Sequence, residues 1–275
     1  MPRALPALQK LRVRGGVRVC FACDGTRTYA ASSYEAGGWR VRFPDAPPQS
    51  CEAVILNTGG GVAGGDEVSL RFDAGPGARA TVTAVAGERI YRTLDTPSRF
   101  TVELDLGAGS ALALLPRETI LSSGAQFRRR IDVDMAPDAK LMILDILVLG
   151  RRASGERMTE GLVDDRWTIM RHGRLAHLEV LRLQGAIERE MQRPAIGGGS
   201  HVVGTLLYVA ADAQSRLEPV QNVLAGWQNL EIAASAWDGK LLVRGLAGSA
   251  ELIRNGMAAA IHAIDGRTMP RAWST

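Results

Sequence analysis

The sequence predicts a mainly β protein in which stacked strands form a helical body over residues 17–200. A small α+β part with about two helices is expected over residues 201–275, and the 275 residues are expected to form one domain. Strand–turn–strand units recur at about 30 residues, a spacing typical of stacked repeats. Aromatic residues make up only 5% of the chain, which suits thin, closely packed layers of Ala, Val, Leu and Gly.

The repeated units begin at Val68, Phe100, Arg130 and Arg166. In each unit, a strand with alternating apolar residues leads through a turn containing Gly or Pro into a second strand. One unit alone cannot bury its apolar face, but a stack of units can do so. A stacked body is therefore expected, and an ordinary antiparallel sandwich is the alternative.

Shorter patterns predict the elements on either side of the repeats. Residues 17–21 and 39–43 alternate between apolar and polar side chains, which indicates two early strands. The character of the sequence changes after Pro194. Four elements are expected beyond it: a strand at 204–209, a helix at 214–227 with Pro219 in its first turn, a hairpin at 230–245, and a final helix capped by Ser249.

Residues 59–65 contain five glycines in seven positions and connect two predicted strands. Glycine allows another surface to approach the backbone closely. The spacing Gly-x-Gly-x-x-Gly matches a dinucleotide-binding fingerprint, but that motif needs a helix after the glycines, and a strand is expected from Val68. The loop is interpreted as a close-contact connector that ends in an acid, Asp66, with a flexible surface loop as the alternative.

Four acids lie on the second strand of a unit or just past it: Glu88, Glu118, Asp145 and Glu179. Asp145 and Glu179 interrupt apolar runs, where a carboxylate is costly to bury unless it is paired, protonated or bound to a metal. Neighbouring arginines offer ion pairing as the alternative explanation.

The composition limits the partners and the chemistry. The net charge of +4 rests on arginine, and its densest cluster, residues 128–130, is expected on a solvated strand edge. No basic run is interleaved with aromatics and no apolar run reaches membrane-spanning length, so neither nucleic acid nor membrane is an expected partner. Residues 1–10 show no secretory leader, and three cysteines make a poor disulfide framework, so the cytoplasm is the expected location.

Catalytic motifs are not recognisable in the sequence. It contains neither a Gly-x-Ser-x-Gly elbow nor a helical His-x-x-x-His motif. Cys20, Cys23 and Cys51 are fewer than the four ligands of a structural zinc site. The chain is therefore not expected to be an enzyme.

Five blocks resemble the UreD-type urease accessory proteins, also called UreH. In family order they are GGGVAGGD at 59–66, ERIYR at 88–92, LPRETI at 115–120, LGRRASGE at 149–156 and PRAW at 270–273. The resemblance implies a largely β stack with two helices. It also implies a cytoplasmic chaperone that binds apo-urease and, with partner accessory proteins including a GTPase, delivers nickel to the urease active site. No permanent cofactor is implied, although nickel would bind transiently.

The same blocks supply a set of residues expected at close contacts and at the partner interface: Gly59, Gly60, Gly61, Gly64, Gly65, Tyr91, Arg92, Arg151 and Glu156. Two positions depart from the family pattern. Arg89 stands where the family usually has lysine, so no role for a lysine is transferred. Asp145 stands where glutamate is more frequent, and its shorter side chain changes the reach of the carboxylate.

The hypothesis for transfer is an acid-lined internal path formed by four residues: Asp66, Glu118, Asp145 and Glu179. Carboxylates and water bind a divalent cation weakly enough to release it, whereas thiolates would retain it. The alternative function is a β-rich protein-binding scaffold with no role in metal transfer, in which the same acids are ion-paired.

Overall fold

A computed structural model of the protein describes residues 12–273, except for the side chain of Ala153. The described residues are mainly β, with two large sheets packed against each other, so the predicted fold class is confirmed. The strands are β1 (Arg14–Cys23), β2 (Thr28–Ala36), β3 (Trp39–Arg42), β4 (Cys51–Asn57), β5 (Glu67–Ala74), β6 (Arg79–Ala84), β7 (Glu88–Ile90), β8 (Ser98–Leu106), β9 (Ala111–Leu115), β10 (Thr119–Leu121), β11 (Gln126–Met135), β12 (Lys140–Leu149), β13 (Gly161–Arg171), β14 (Arg174–Gly185), β15 (Val202–Val209), β16 (Leu230–Trp237) and β17 (Lys240–Ala247).

Three helices follow the repeats in the described part of the chain. They are α1 (Ile187–Met191), α2 (Leu217–Leu224) and α3 (Ala250–Asp265), with single 3-10 turns at Arg152–Ser154, Gln214–Arg216 and Arg271–Trp273. The sequence predicted about two helices and missed α1, because five residues are too few to show a helical period. No helix among the described residues is long and apolar enough to cross a membrane. The expectation of no leader in residues 1–10 lies outside the described residues.

Parallel stacking builds the centre of both sheets. The first sheet has the order β14-β13-β11-β8-β5-β1-β2, and the second runs β16-β17-β15-β12-β9-β6-β4-β3. Corners of four residues carry the chain from β5 to β6, from β8 to β9 and from β11 to β12. Equivalent apolar side chains therefore form buried rows, such as Leu70, Val102, Ile131 and Trp167 in the first sheet. The stacked arrangement is present, and the ordinary antiparallel sandwich is rejected.

A third, shorter ladder joins successive coils beyond the ends of the second-sheet strands. β7 pairs in parallel with β10, which pairs in parallel with the end of β12. Val62 in the glycine-rich loop adds one bridge to Ile90. The central residues of this ladder are all buried: Val62, Ile90, Leu121 and Leu149. Each coil thus has three faces, and the connections after β4, β6, β9 and β12 lie side by side.

The fourth unit departs from the prediction. β13 and β14 form an antiparallel hairpin inside the first sheet, so β14 does not continue into the second sheet. The cause is the length and conformation of the turn. Only His172 and Gly173 connect the two strands, both with positive φ, which is the backbone of a tight two-residue hairpin. Glu179 therefore lies in a different sheet from Asp145.

The C-terminal part is continuous with the second sheet. β15 pairs with β12, and β17 and β16 follow it outward, so the predicted division near residue 200 falls within one sheet. α2 and α3 cover the face of this sheet that is turned away from the first sheet. The Ser249 hydroxyl caps α3 by accepting a hydrogen bond from the Glu251 amide, and Gly266 ends the helix at φ 74°.

The final turn is fastened beside the stack. Trp273 donates its indole N–H to Thr83 Oγ1 at 3.1 Å and lies 3.3 Å from the Leu115 carbonyl. The guanidinium of Arg117 lies 5.7 Å from the centre of the Trp273 ring and donates a hydrogen bond to the Ala272 carbonyl. These contacts give the terminal PRAW block a structural role.

The close fit at Gly64 provides a test of the stacking. A Cβ atom at this position would lie 1.9 Å from Thr93 Oγ1, on the next coil. We expect Gly64→Ala to lower the free energy of unfolding by about 1–3 kcal/mol or more through overpacking. The matched control is Gly226→Ala, where a Cβ meets nothing within 4 Å, and we expect a change of no more than about 0.5 kcal/mol. Equal melting temperatures for the two variants would contradict the contact.

Candidate functional site

The glycine-rich loop packs mainly against its own chain. At Gly61, a Cβ would lie 2.4 Å from the Tyr91 ring, and at Gly65 it would lie 2.7 Å from the Arg12 guanidinium. Gly60 differs, because it has φ 74° and an added Cβ would meet nothing within 4 Å. The close approach predicted for these glycines is therefore largely intramolecular. The strand β5 follows directly, which rules out the dinucleotide interpretation.

Asp66 fastens this loop to the start of the body. Its Oδ1 accepts a hydrogen bond from the Val13 amide at 2.8 Å, and its Oδ2 accepts one from the Ala63 amide at 2.9 Å. The carboxylate is buried, and each of its oxygens has a backbone donor. Asp66 thus holds two chain segments together at the position where β5 begins.

The predicted interface residues lie on successive connections at one end of the body, which we call the loop end (residues 58–66, 85–97, 116–125 and 150–160). Tyr91 donates its hydroxyl hydrogen to the Gly60 carbonyl at 2.8 Å. Arg151 pairs with Glu156, which also accepts a hydrogen bond from the Ser123 amide. Arg92 is exposed beside Gly124. Sequence reasoning missed Leu94 on the same end, although this side chain is 84% exposed.

A cavity of about 260 Å³ lies between the two sheets near the loop end. Its lining includes Asn57, Gly60 and Gly61 together with apolar core residues such as Phe100 and Ile131. Five charged residues also line it: Glu88, Arg89, Arg117, Arg129 and Asp145. The volume is large enough for several water molecules, and the polar groups give such waters hydrogen-bond partners.

Glu88 is an acid of this cavity whose pKa is strongly raised. Burial raises the pKa of its carboxyl to about 7, although the hydrogen bond from Asn57 at 2.9 Å acts in the opposite direction. Glu88 Oε1 accepts this bond from the side chain of Asn57, and no ion pair to Glu88 is present among the described residues. The protonation state of this carboxyl therefore changes near neutral pH.

Arg129 forms a buried ionic cluster with two acids across the space between the sheets. Its guanidinium donates to Asp165 at 2.6 and 2.9 Å and to Asp145 at 2.8 Å. Arg129 is buried, so the expectation that the 128–130 cluster lies on a solvated edge is wrong for its central residue. Burial raises the pKa of the Asp145 carboxyl despite the opposing effect of Arg129, and the nearby Asp165 carboxylate adds to the rise.

Two further residues of the predicted path, Glu118 and Glu179, do not line the cavity. Glu118 is buried next to it and pairs with Arg254 at 2.9 Å and Arg117 at 3.6 Å. Glu179, on β14, pairs with Arg244 at 2.7 Å and with His177 at 3.3 Å. Burial would raise the pKa of Glu179, but the bonds from His177 and Arg244 outweigh it and hold that pKa below its usual value. Of the four predicted path residues, the cavity thus includes Asp145 alone.

Comparison with known proteins settles the family. A family model described as "UreD urease accessory protein" matches residues 13–274. The chain belongs to the UreD family. It is 39% identical over 276 residues to "Urease accessory protein UreD 3" of Methylorubrum extorquens, covering 98% of this chain and 93% of that protein. It is 40% identical over 264 residues to "Urease accessory protein UreD" of Xanthobacter autotrophicus, covering 96% and 91% of the two chains.

UreD membership is consistent with a role in urease maturation, and the family description names an accessory protein. Within residues 12–273, no group of three or more His, Cys, Asp or Glu side chains is placed to hold a metal ion. Cys20 instead donates a hydrogen bond to Asp73 at 3.4 Å. The sequence shows Glu88 as an acid in the ERIYR block. Only the stacking of the coils shows that this side chain lines the cavity.

The raised pKa of Glu88 predicts a pH dependence of stability. The unfolded carboxyl ionises near pH 4.5 and the folded one near 7, so the folded state loses stability relative to the unfolded state as the pH rises between these values. Replacement by Gln removes this loss. We expect Glu88→Gln to match the parent protein at about pH 4.5 and to be more stable by about 1–3 kcal/mol at about pH 8, measured by urea unfolding. The exposed Glu160→Gln serves as control, and an effect of Glu88→Gln that is independent of pH would refute the assignment.

The Arg129 cluster predicts a large difference between adjacent arginines. Arg129→Met leaves two buried carboxylates without their cation, and we expect a loss of about 3–5 kcal/mol in unfolding free energy. Arg130→Met removes an exposed ion pair with Asp132, for which a loss below about 1 kcal/mol is expected. Chemical denaturation of both variants gives the comparison, and similar stabilities would show that Arg129 does not hold the sheets together.

Proposed function

We propose that this UreD-family protein binds apo-urease and, with other accessory proteins including a GTPase, helps to deliver nickel to the urease active site. The names of its relatives support the assignment to urease maturation. We place this activity in the cytoplasm, in line with three cysteines that are all free thiols. The nickel ion is the cargo of the protein and binds transiently.

The loop end is the proposed contact surface for partners. It combines the exposed Leu94 with Tyr91 and Arg92 on one connection, and Arg151 and Glu156 lie on another. Exposed aromatic and arginine side chains are enriched in protein interfaces. The open Gly60 on the first connection allows a partner backbone to approach without a side chain between the two surfaces.

The observation that carries the nickel proposal is the cavity between the sheets, because it places the carboxyls of Glu88 and Asp145 behind the glycine-rich loop. Carboxylate and water oxygens bind a divalent cation weakly enough for onward transfer. A carboxyl whose pKa is about 7 takes up a proton as a cation leaves it. We infer that an internal path passes through Glu88 and Asp145, with Asp66, Glu118 and Glu179 as the further predicted positions.

A second candidate function has specific support. Glu118, Asp145 and Glu179 each have an arginine partner within 3 Å. Such pairing is the arrangement expected if these acids serve stability alone. The protein would then be a binding scaffold for the maturation complex, and nickel would follow another route.

Assembly and nickel content, measured separately, distinguish the two functions. Tagged variants are expressed with urease and the other accessory proteins, the complex is recovered, and nickel per urease active site is determined by mass spectrometry. We expect Glu88→Gln and Asp145→Asn to lower the nickel content at least several-fold while recovering the same amount of apo-urease. Asp105→Asn, a change at an exposed acid on the outer face, is the matched control and is expected to have no effect.

Each outcome has a distinct meaning. Full nickel loading by both variants would overturn the internal path and favour the scaffold. Loss of apo-urease from the recovered complex would show that the cavity acids support assembly. Circular dichroism and melting temperature confirm folding before either result is read.

A further inference from the structure

The outer edge of β14 is an unpaired strand edge of unusual length. β14 has twelve residues and is the last strand of the first sheet, with β13 as its neighbour on one side. No strand within the described residues pairs with its other side. Every second backbone N–H and C=O of an edge strand points away from its sheet. β14 therefore presents a row of hydrogen-bonding groups that an extended chain is able to pair with.

Apolar side chains cover the solvent face of this strand. Leu175, Leu178 and Val180 are 59%, 56% and 49% exposed, respectively. Edge strands of soluble proteins are usually protected by proline, by lysine, by a β-bulge or by a covering loop. β14 has neither proline nor lysine, and its irregularity, opposite Ile169 and Met170, precedes the apolar residues Leu178 and Val180. Its inward acid, Glu179, is neutralised by Arg244 and does not repel a second strand.

A groove runs beside the same edge. It is lined by apolar residues from β14, from the loop that follows α1 and from the C-terminal strands, including Leu181, Ile196, Val203, Ile232 and Leu246. Its volume is about 620 Å³. Side chains alternate between the two faces of a strand, so an added strand would place one set in this groove and the other beside Leu178 and Val180.

The charged residues around this edge indicate which kind of segment binds there. Arg174 and Arg182 are exposed on either side of the apolar stretch, and the Arg244 side chain, 61% exposed, also lines the groove. Acidic residues at both ends of an added strand would complement Arg174 and Arg182. Arg244, by contrast, is already paired with Glu179. Glu231 lines the groove as well and disfavours an acid in the middle of the segment. A segment with an apolar centre and acidic ends therefore matches this surface.

A second copy of this chain fits less well. Antiparallel self-pairing centred on Glu179 places this carboxylate opposite its own counterpart. Shifting the centre to Arg182 brings this side chain opposite its own counterpart, and like charges directly opposite each other destabilise a sheet. A different protein, free to carry acids at those positions, avoids both conflicts.

We propose that β14 binds an extended segment of a partner protein by strand addition, with alternating apolar residues in the centre of the segment and acidic residues at its ends. Main-chain hydrogen bonds would supply affinity, and the groove and the flanking arginines would supply specificity. This surface is separate from the loop end and from the cavity. Glu179 lies on β14 and is also a predicted path position, but strand addition uses the backbone edge and the exposed apolar residues, so the proposal holds whether or not the nickel path does.

A synthetic probe tests this surface directly. The probe is a fluorescein-labelled peptide of ten residues, with two aspartates at each end and alternating Val and Thr between them. We expect fluorescence polarisation to show saturable binding to the intact protein. Val180→Lys should weaken this binding at least tenfold, while Val223→Lys, which changes an exposed apolar residue on α2, should leave it unchanged. A peptide with lysines at both ends should bind at least tenfold more weakly than the acidic probe.

The binding mode has its own readout. Hydrogen exchange of the β14 amides should slow when the peptide is bound, and a peptide with proline at alternate positions should not bind, because proline lacks the N–H donor. The proposal is overturned if the acidic peptide fails to bind, if Val180→Lys binds it normally, or if β14 gains no protection from exchange. A stable dimer of the free protein that Val180→Lys dissociates would assign the edge to a second copy instead and would equally refute it.

Discussion

Parallel stacking in register is the constraint on which this structure depends. Rows such as Leu70, Val102, Ile131 and Trp167 bury apolar area only when each coil repeats the path of the previous one. The short ladder from Val62 to Leu149 fixes the same register at the loop end. This accounts for the density of glycine in the first connection, where Gly61 and Gly64 must admit the next coil without a side chain. The connections then form one surface because the strands beneath them are aligned.

Stacking also decides which polar groups meet. Arg129 and Asp165 are partners because their strands are parallel neighbours, and Asp145 reaches the same guanidinium from the facing sheet. Two carboxylates on one cation leave the cluster with an excess negative charge in a poorly solvated space. Glu88, held by an amide donor, adds a second acid to the same cavity. The site is therefore suited to changes in protonation, and it is enclosed by aromatic and aliphatic side chains that limit the access of bulk water.

Local patterns predicted much of this architecture. Alternation located the strands of the three stacked units, and the predicted cap Ser249 begins α3. Four of the five family blocks fall largely on the connections that the structure places side by side at the loop end. The sequence did not show where the chain crosses from one sheet to the other. Apolar and polar residues alternate with the same period in an antiparallel hairpin and in a stacked coil. The position of Glu179 was therefore misjudged, and Arg129 was assigned to solvent because burial depended on which face of β11 met the second sheet. The acids themselves were recognised, but their partners are distant in sequence and only the fold brings them together.

The two-residue turn at His172 and Gly173 has a further consequence for how such a protein changes over evolution. A repeat array lengthens when a duplicated unit joins the end of the stack, and that requires a four-residue corner into the second sheet. The tight turn reverses the chain within the first sheet, and β15 then closes the second sheet with an antiparallel neighbour. The stack of coils thus ends in both sheets, and its number of coils is fixed. The cavity cannot be extended by adding units at that end.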